Sequence, residues 1–198
     1  MTSSIRLVTD DDAAQVRDIY AFYCLHTPIT FEEVPPDTAE IGTRIRNISA
    51  RFPWLVCDHD GEVLGYVYGG THRERAAYRW SVEVTAYVRQ DLHRRGIGRA
   101  LYTSLFRLLV LQGFYNAYAG ITLPNPGSVG LHGAVGFEAI GVYTAIGFKC
   151  GQWHDVGWYQ LALQPRPPVP AEPRKFSEVR GCNEWEAALA SGLPLLRG

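Results

Sequence analysis

His93-Arg94-Arg95-Gly96-Ile97-Gly98-Arg99 places three arginines and two glycines in a polar turn that opens directly onto a helical pattern. From Ile97 the apolar positions recur at Leu101, Leu105, Leu108 and Leu109, the spacing of one buried helical face. The glycines let the backbone approach a ligand closely and turn several N–H groups the same way. The helix start adds the positive end of its dipole, and the arginines add full charges. The chemistry such a turn suits is the binding of a pyrophosphate, although the same pattern also serves as a plain helix entry with a solvated charged face. Two familiar phosphate loops are excluded. A dinucleotide fingerprint needs a small residue where Leu101 stands, and the Gly-Lys-Ser/Thr ending of a P-loop is absent.

A second candidate for chemistry is Glu83, in the apolar run Trp80-Ser81-Val82-Glu83-Val84-Thr85. A carboxylate is unexpected there, and burial would raise its pKa toward neutrality and suit it to act as a base. Strand alternation equally permits it to face water. Ahead of it, His72-Arg73-Glu74-Arg75-Ala76-Ala77-Tyr78 offers two arginines that can fork onto carboxylate or phosphinate oxygens, or simply form an exposed charged loop.

The elements that must position these groups are readable in outline. A strand over 5–8 precedes a helix capped by Thr9 or Asp10 that carries Val16, Ile19, Tyr20 and Tyr23 on one face. A second helix starts at Asp37, with Glu40 three residues on, and buries Ile41, Ile45 and Ile48. Strands over 54–57 and 63–68 flank Asp60-Gly61, a hairpin signal. A strand over 78–88 leads into the glycine turn and its helix, which Gly113 ends. A strand over 116–122, a short helix over 128–135, and an antiparallel pair over 137–146 and 153–163 close the pattern. This order predicts a mixed, mostly antiparallel sheet with helices on both faces. Beyond Leu163, five prolines between Pro165 and Pro173 mark an extended linker, and a short helix over 177–193 carries Val179, Trp185, Ala188 and Leu193. The division is a domain over 1–163 and an extension over 164–198, which either docks or is disordered.

The glycine turn reads as Q/R-x-x-G-x-G/A with His93 in the first position, and so resembles the acyl-CoA pyrophosphate loop of the GNAT N-acetyltransferases. Longer stretches resemble the phosphinothricin and methionine sulfoximine acetyltransferases of that superfamily. They are Arg51-Phe52-Pro53-Trp54-Leu55-Val56, Asp60-Gly61-Glu62-Val63, Leu101-Tyr102-Thr103, Leu123-Pro124-Asn125 and the specific Gly147-Phe148-Lys149-Cys150-Gly151-Gln152-Trp153-His154-Asp155-Val156-Gly157. The resemblance spans about residues 5–163. It implies a GNAT acyltransferase fold and transfer of acetyl from acetyl-CoA to the α-amine of a small amino-acid analogue by direct attack in a ternary complex.

On the residues, the resemblance implies that Glu83 is the catalytic base and that His132 stands where many GNAT enzymes carry a tyrosine that protonates the departing thiolate. It implies acyl-CoA contacts from Val88, at the end of a strand segment (84–88) that splays from its neighbour, from 93–99, and from Asn125 and Ser128. Arg73, Arg75 and Tyr78 match substrate-binding positions, and Phe31 an apolar pocket wall. The family forms its pocket between two subunits, so a homodimer is expected. The departure at His93 weakens one side-chain contact that commonly holds the loop, not the backbone cradle. Two rival readings stay open: a peptide or protein N-acetyltransferase of the same fold, and a non-catalytic acyl-CoA-binding module.

Composition narrows the partners. A net charge of −1 argues against broad nucleic-acid binding, whose affinity rests on a basic surface. The four cysteines show no paired spacing, and without a signal peptide or a long apolar run the expectation is a reduced, cytoplasmic protein with no membrane association. Cys150 and His154 stand four apart, but no further pair completes a zinc site, so no metal is expected. No Gly-x-Ser-x-Gly elbow is present for an acyl-enzyme. His154 and Asp155 are expected in a structural polar network or in the pocket wall nearest the second subunit.

Overall fold

Local turn chemistry builds the first half of the sheet. In the computed structural model, which describes residues 3–196, β2 (Trp54–His59) and β3 (Glu62–Thr71) form the expected hairpin. Asp60 (φ 52°) and Gly61 (φ 88°) supply the two left-handed positions that a tight two-residue turn needs. β1 (Ser3–Leu7) pairs antiparallel with β2. The first helix, α1 (Ala13–His26), begins later than Thr9 or Asp10, because Asp10–Asp12 form a 3₁₀ turn. There Arg6 grips the buried Asp12 with both terminal guanidinium nitrogens, at 2.7 and 2.8 Å. The second helix, α2 (Thr38–Ser49), is capped as the sequence indicates, with the Asp37 carboxylate accepting from Glu40 N–H at 2.8 Å. Val16, Ile19, Tyr23, Ile41 and Ile45 pack on Trp54, Val56, Val63 and Tyr66 of one sheet face. Ile48 is only half-buried, at the margin of that cluster.

The opposite face is covered by α3 (Ile97–Gln112), which buries Ile97, Leu101, Leu105, Leu108 and Leu109 and ends at Gly113 (φ 92°). It connects β4 (Ser81–Val88) to β5 (Asn116–Leu123). β4 starts three residues later than position 78, because Ala76–Tyr78 form a 3₁₀ turn closed by Tyr78 N–H on the Arg75 carbonyl. Then come α4 (Pro126–Ala134), β6 (Glu138–Lys149) and β7 (Gln152–Ala162). α4 begins two residues earlier than expected, since Pro126 takes the first turn and Asn125 caps Ser128 N–H.

The sheet order is β1-β2-β3-β4-β5-β7-β6, and β4–β5 is its parallel pair. That pair holds register only at Ser81↔Asn116, Val82↔Ala117 and Glu83↔Tyr118. Beyond Glu83 the two strands part. The gap between them positions everything that follows.

The segment after β7 docks. The single helix expected over 177–193 is two short ones, α5 (Phe176–Val179) and α6 (Trp185–Ala190), interrupted where Gly181 turns left-handed (φ 83°). Phe176, Val179, Trp185 and Ala188 are buried in the same cluster as α3. Ser104 Oγ donates to the Leu189 carbonyl at 2.7 Å and accepts from Gly192 N–H at 3.1 Å. At Gly192 a Cβ would fall 1.9 Å from the Ala100 carbonyl oxygen. Gly192→Ala is therefore expected to cost about 1–3 kcal/mol through overpacking, or a melting temperature lower by roughly 2–12 °C for a chain of this size. An unchanged thermal melt would mean that this segment does not seat on α3 in solution.

Candidate active site

The parted strands open a cleft of about 590 Å³ between the end of β4, the glycine turn and the starts of α3 and α4. Val88, His93, Arg94, Gly96, Ile97, Gly98, Arg99, Asn125, Ser128 and His132 line it, whereas Arg95 is exposed outside the lining. The turn is made by two left-handed residues, Arg94 (φ 66°) and Gly96 (φ 84°). Gly96 caps α3 without a side chain, so among the described residues Ile97, Gly98 and Arg99 N–H have no acceptor. These free donors at a helix N-terminus, flanked by Arg94 and Arg99, fit a pyrophosphate. The turn packs closely on α4, where a Cβ at Gly98 would lie 2.8 Å from Leu131 Cδ2.

His93 fills the first motif position with a contact of its own. Its Nε2 lies 2.9 Å from the Tyr23 hydroxyl, which in turn donates to the Val88 carbonyl. Burial pushes the Tyr23 hydroxyl up to about 12, so it remains a donor at any physiological pH. The latch ties the turn to α1 and to the last residue of β4.

His132 is buried in the cleft wall. Nδ1 lies 2.8 Å from the Ser128 carbonyl, so it carries the hydrogen, and Nε2 accepts from the Tyr102 hydroxyl at 3.0 Å. Burial lowers its pKa from the ordinary 6.5, so the neutral ring is favoured.

Alternation along β4 sends Val82 and Val84 into the core under α3 and Glu83 to the other face. Glu83 is less buried than its apolar neighbours suggest, with 37% of its side chain exposed, and its Oε2 lies 3.5 Å from His72 Nδ1. Around it the aromatic rings converge. His72 stacks on Tyr118 (centroids 4.3 Å, 12° apart), with Trp158 and Tyr78 edge-on at 6.1 and 6.3 Å. Arg73 lies over the Trp158 ring at 5.9 Å. Arg73, Arg75 and Tyr78 open onto a second cleft of about 520 Å³, walled on its far side by residues 172–177 of the docked extension. Of this loop it is His72 that faces Glu83, while Arg73 lies over Trp158, which is edge-on to the His72 ring.

Phe31 is 39% exposed and rests on Gly147, where a Cβ would come within 2.2 Å of its ring. The buried Lys149 ammonium fixes the loop that carries it, donating to the Thr30 and Glu32 carbonyls at 2.7 and 2.8 Å. His154 Nε2 meets the Lys149 carbonyl at 3.0 Å and Asp155 accepts from Ala145 N–H at 2.7 Å, so both serve the polar network of the β6–β7 hairpin. Sequence reasoning missed His72, Tyr118, Trp158 and Tyr23. His72 stood in the quoted loop, but no local pattern pairs it with a residue eleven positions on.

Residues 5–158 match the family model described as Acetyltransferase (GNAT) domain, over the span that forms the sheet, the parted strands and the glycine turn. The chain belongs to the GNAT acetyltransferase family. Among relatives of this GNAT enzyme, phosphinothricin N-acetyltransferase of Streptomyces viridochromogenes is 41% identical over 170 residues, covering 85% of this chain and 93% of the relative. L-methionine sulfoximine/L-methionine sulfone acetyltransferase of Pseudomonas aeruginosa is 35% identical over 175 residues, covering 86% and 100%. A phosphinothricin acetyltransferase from Sinorhizobium meliloti, solved in complex with AcCoA, superposes with a TM-score of 0.78 at 35% identity, covering 85% of this chain and 96% of that one. Among the described residues, no helix is long and apolar enough to cross a membrane.

Proposed function

We propose that this GNAT acetyltransferase moves the acetyl group of acetyl-CoA to the α-amine of a small amino-acid analogue, phosphinothricin or methionine sulfoximine or sulfone, by direct attack in a ternary complex. The observation that carries the reading is the gap between β4 and β5. It has a basic cleft with free helix N–H groups on one side and Glu83 at the fork. Bound acetyl-CoA would supply an activated thioester, with its pyrophosphate on 96–99 and Arg94. Alternate N–H groups of β4 beyond Glu83 point away from β3 into the gap, where they can pair with an extended ligand arm and steady a developing oxyanion.

An ammonium has no lone pair, so the substrate must lose a proton before it attacks, and Glu83 accepts it. The departing thiolate makes a smaller demand, since an ordinary thiol has a pKa of about 8.5. His132 could donate to it only as an imidazolium, which its burial disfavours, so His132 takes the lesser share and holds the cleft wall through Ser128 and Tyr102. Arg73 and Arg75 would fork onto the anionic or sulfoximine end of the substrate, with Tyr78 and Phe31 as walls.

Two finer points join this reading. β6 is an exposed sheet edge that carries Ile140, Val142, Tyr143, Ile146 and Phe148 and faces outward beside Trp153. A long apolar edge needs a cover, and a second copy on it would complete the wall behind Tyr143 and Trp158, whose rings lie 5.6 Å apart. Four free cysteines support a reducing, cytoplasmic setting.

Release of CoA thiol across a panel of amino-acid analogues and peptides tests the reading. Phosphinothricin and methionine sulfoximine are expected to turn over fastest, and faster acetylation of peptide amines would replace it with a protein N-acetyltransferase. A guanidinium–anion contact is worth about 1.5–3 kcal/mol, so Arg75→Ala is expected to raise the amino-acid KM by roughly one to two powers of ten. The acetyl-CoA KM should not move. Equal effects on both would place Arg75 in the cofactor site or the fold.

A further inference from the structure

His72 follows β3 two residues after Gly70, the register partner of Glu83 on β4, and so lies diagonally across from Glu83 on the same face of the antiparallel pair. Its ring is pinned on Tyr118, the register partner of Glu83 on β5, and closed in edge-on by Trp158 and Tyr78. Only 12% of the side chain is exposed. Nδ1 is buried and, among the described residues, makes no hydrogen bond; the polar atom it faces is Glu83 Oε2, at 3.5 Å. Buried polar atoms are rarely left unpaired, and those that are call for a reason. A carboxylate can only accept, so the nitrogen facing it must carry the hydrogen. A separation of 3.5 Å exceeds a formed bond, but such contacts in ligand-free active sites commonly tighten when the complex forms.

We propose that His72 is a positioning residue for the catalytic base. Its Nδ1–H holds Oε2 of Glu83 and leaves Oε1 to receive the proton of the substrate amine. The proton passes from the substrate nitrogen to Oε1 as the nitrogen's electron pair is released for attack, and His72 neither gains nor loses one. The inference rests on the reading of Glu83 as the base. Glu83 needs such a holder because its side chain is flexible and more than a third exposed, and displacement of a reacting group by about 1 Å can cost around a hundredfold in rate.

The test compares His72→Phe, which keeps the stack on Tyr118 but has no donor, with His72→Asn, whose amide N–H lies near the place of Nδ1. Both are set beside Glu83→Gln and the double variant His72→Phe/Glu83→Gln. His72→Phe is expected to lower kcat about 10–100-fold, with the acetyl-CoA KM and the melting temperature unchanged. His72→Asn should recover most of the rate, and the double variant should be no slower than Glu83→Gln alone. Should His72→Phe not fold, His72→Gln, whose amide reaches the Nε2 position instead, is expected to show the same loss. A parental kcat in these His72 variants beside a defective Glu83→Gln overturns the positioning role and leaves the base intact. Losses that add in the double variant, or that asparagine does not recover, also overturn it, because they mark a structural ring. A parental rate in Glu83→Gln itself removes the base reading underneath.

Discussion

Glu83→Gln is expected to lower turnover by about 10²–10⁴-fold, the usual contribution of a positioned general base. The amide keeps the shape of the carboxylate and its place at the fork of β4 and β5, but it cannot take a proton from the amine. The side chain is not part of the core, with 37% of its surface exposed, so the fold should tolerate the exchange. It also lines neither the 590 Å³ cleft nor its glycine turn, so acetyl-CoA affinity should be nearly unchanged. Single-turnover kinetics with titrated acetyl-CoA separate the two quantities. A variant that keeps parental turnover across the pH range would reduce Glu83 to a structural residue and pass the search for a base to other groups near the gap.

Gly98→Asp is expected to abolish acetyl-CoA binding. The substituent has no room, since a Cβ there already lies 2.8 Å from Leu131 Cδ2 and 3.5 Å from Cδ1. The carboxylate would also compete for the unpaired first-turn N–H groups and repel a pyrophosphate between Arg94 and Arg99. An acidic residue at a helix N-terminus favours the helix itself, so the defect should fall on the ligand more than on α3. The parent should melt higher with ligand, by about 2.7 kcal/mol of added stability at a hundred times Kd, and the variant should show no such shift. Gly98→Ala separates the causes, because it carries the steric contact without the charge. Equal ligand-induced stabilisation of parent and Gly98→Asp would dissolve the assignment of the turn.

What the sequence determined by itself is local. The face of α3, the Asp37 cap, the Asp60-Gly61 hairpin and the glycine turn depend on residues within a few positions of one another, so spacing and side-chain type suffice to read them. Where local rules competed, boundaries moved. Ala76–Tyr78 close a 3₁₀ turn ahead of β4, and Pro126 with Asn125 starts α4 early. The family-specific stretches reached further, to the expectation of a base at Glu83 and of acyl-CoA contacts at 93–99, Asn125 and Ser128, of which all but Arg95 line the cleft.

Only the tertiary structure decided what those residues meet. β4 and β5 lie side by side because α3 crosses between them, and their pairing fails after Glu83↔Tyr118 for reasons that no window of sequence contains. The β3–β4 pairing sets His72 diagonally against Glu83. The packing of the folded chain turns Arg95 out of the cleft, gives Arg75 to a space shared with the docked extension, and buries His132 between Ser128 and Tyr102, which favours its neutral form. The extension reads as loose because five prolines remove ladder donors. It docks because Phe176, Val179, Trp185 and Ala188 find apolar surface on α3 that the sheet alone leaves uncovered. Burial and pairing across tens of residues depend on the summed packing of the whole chain, and so they become visible only once it has folded.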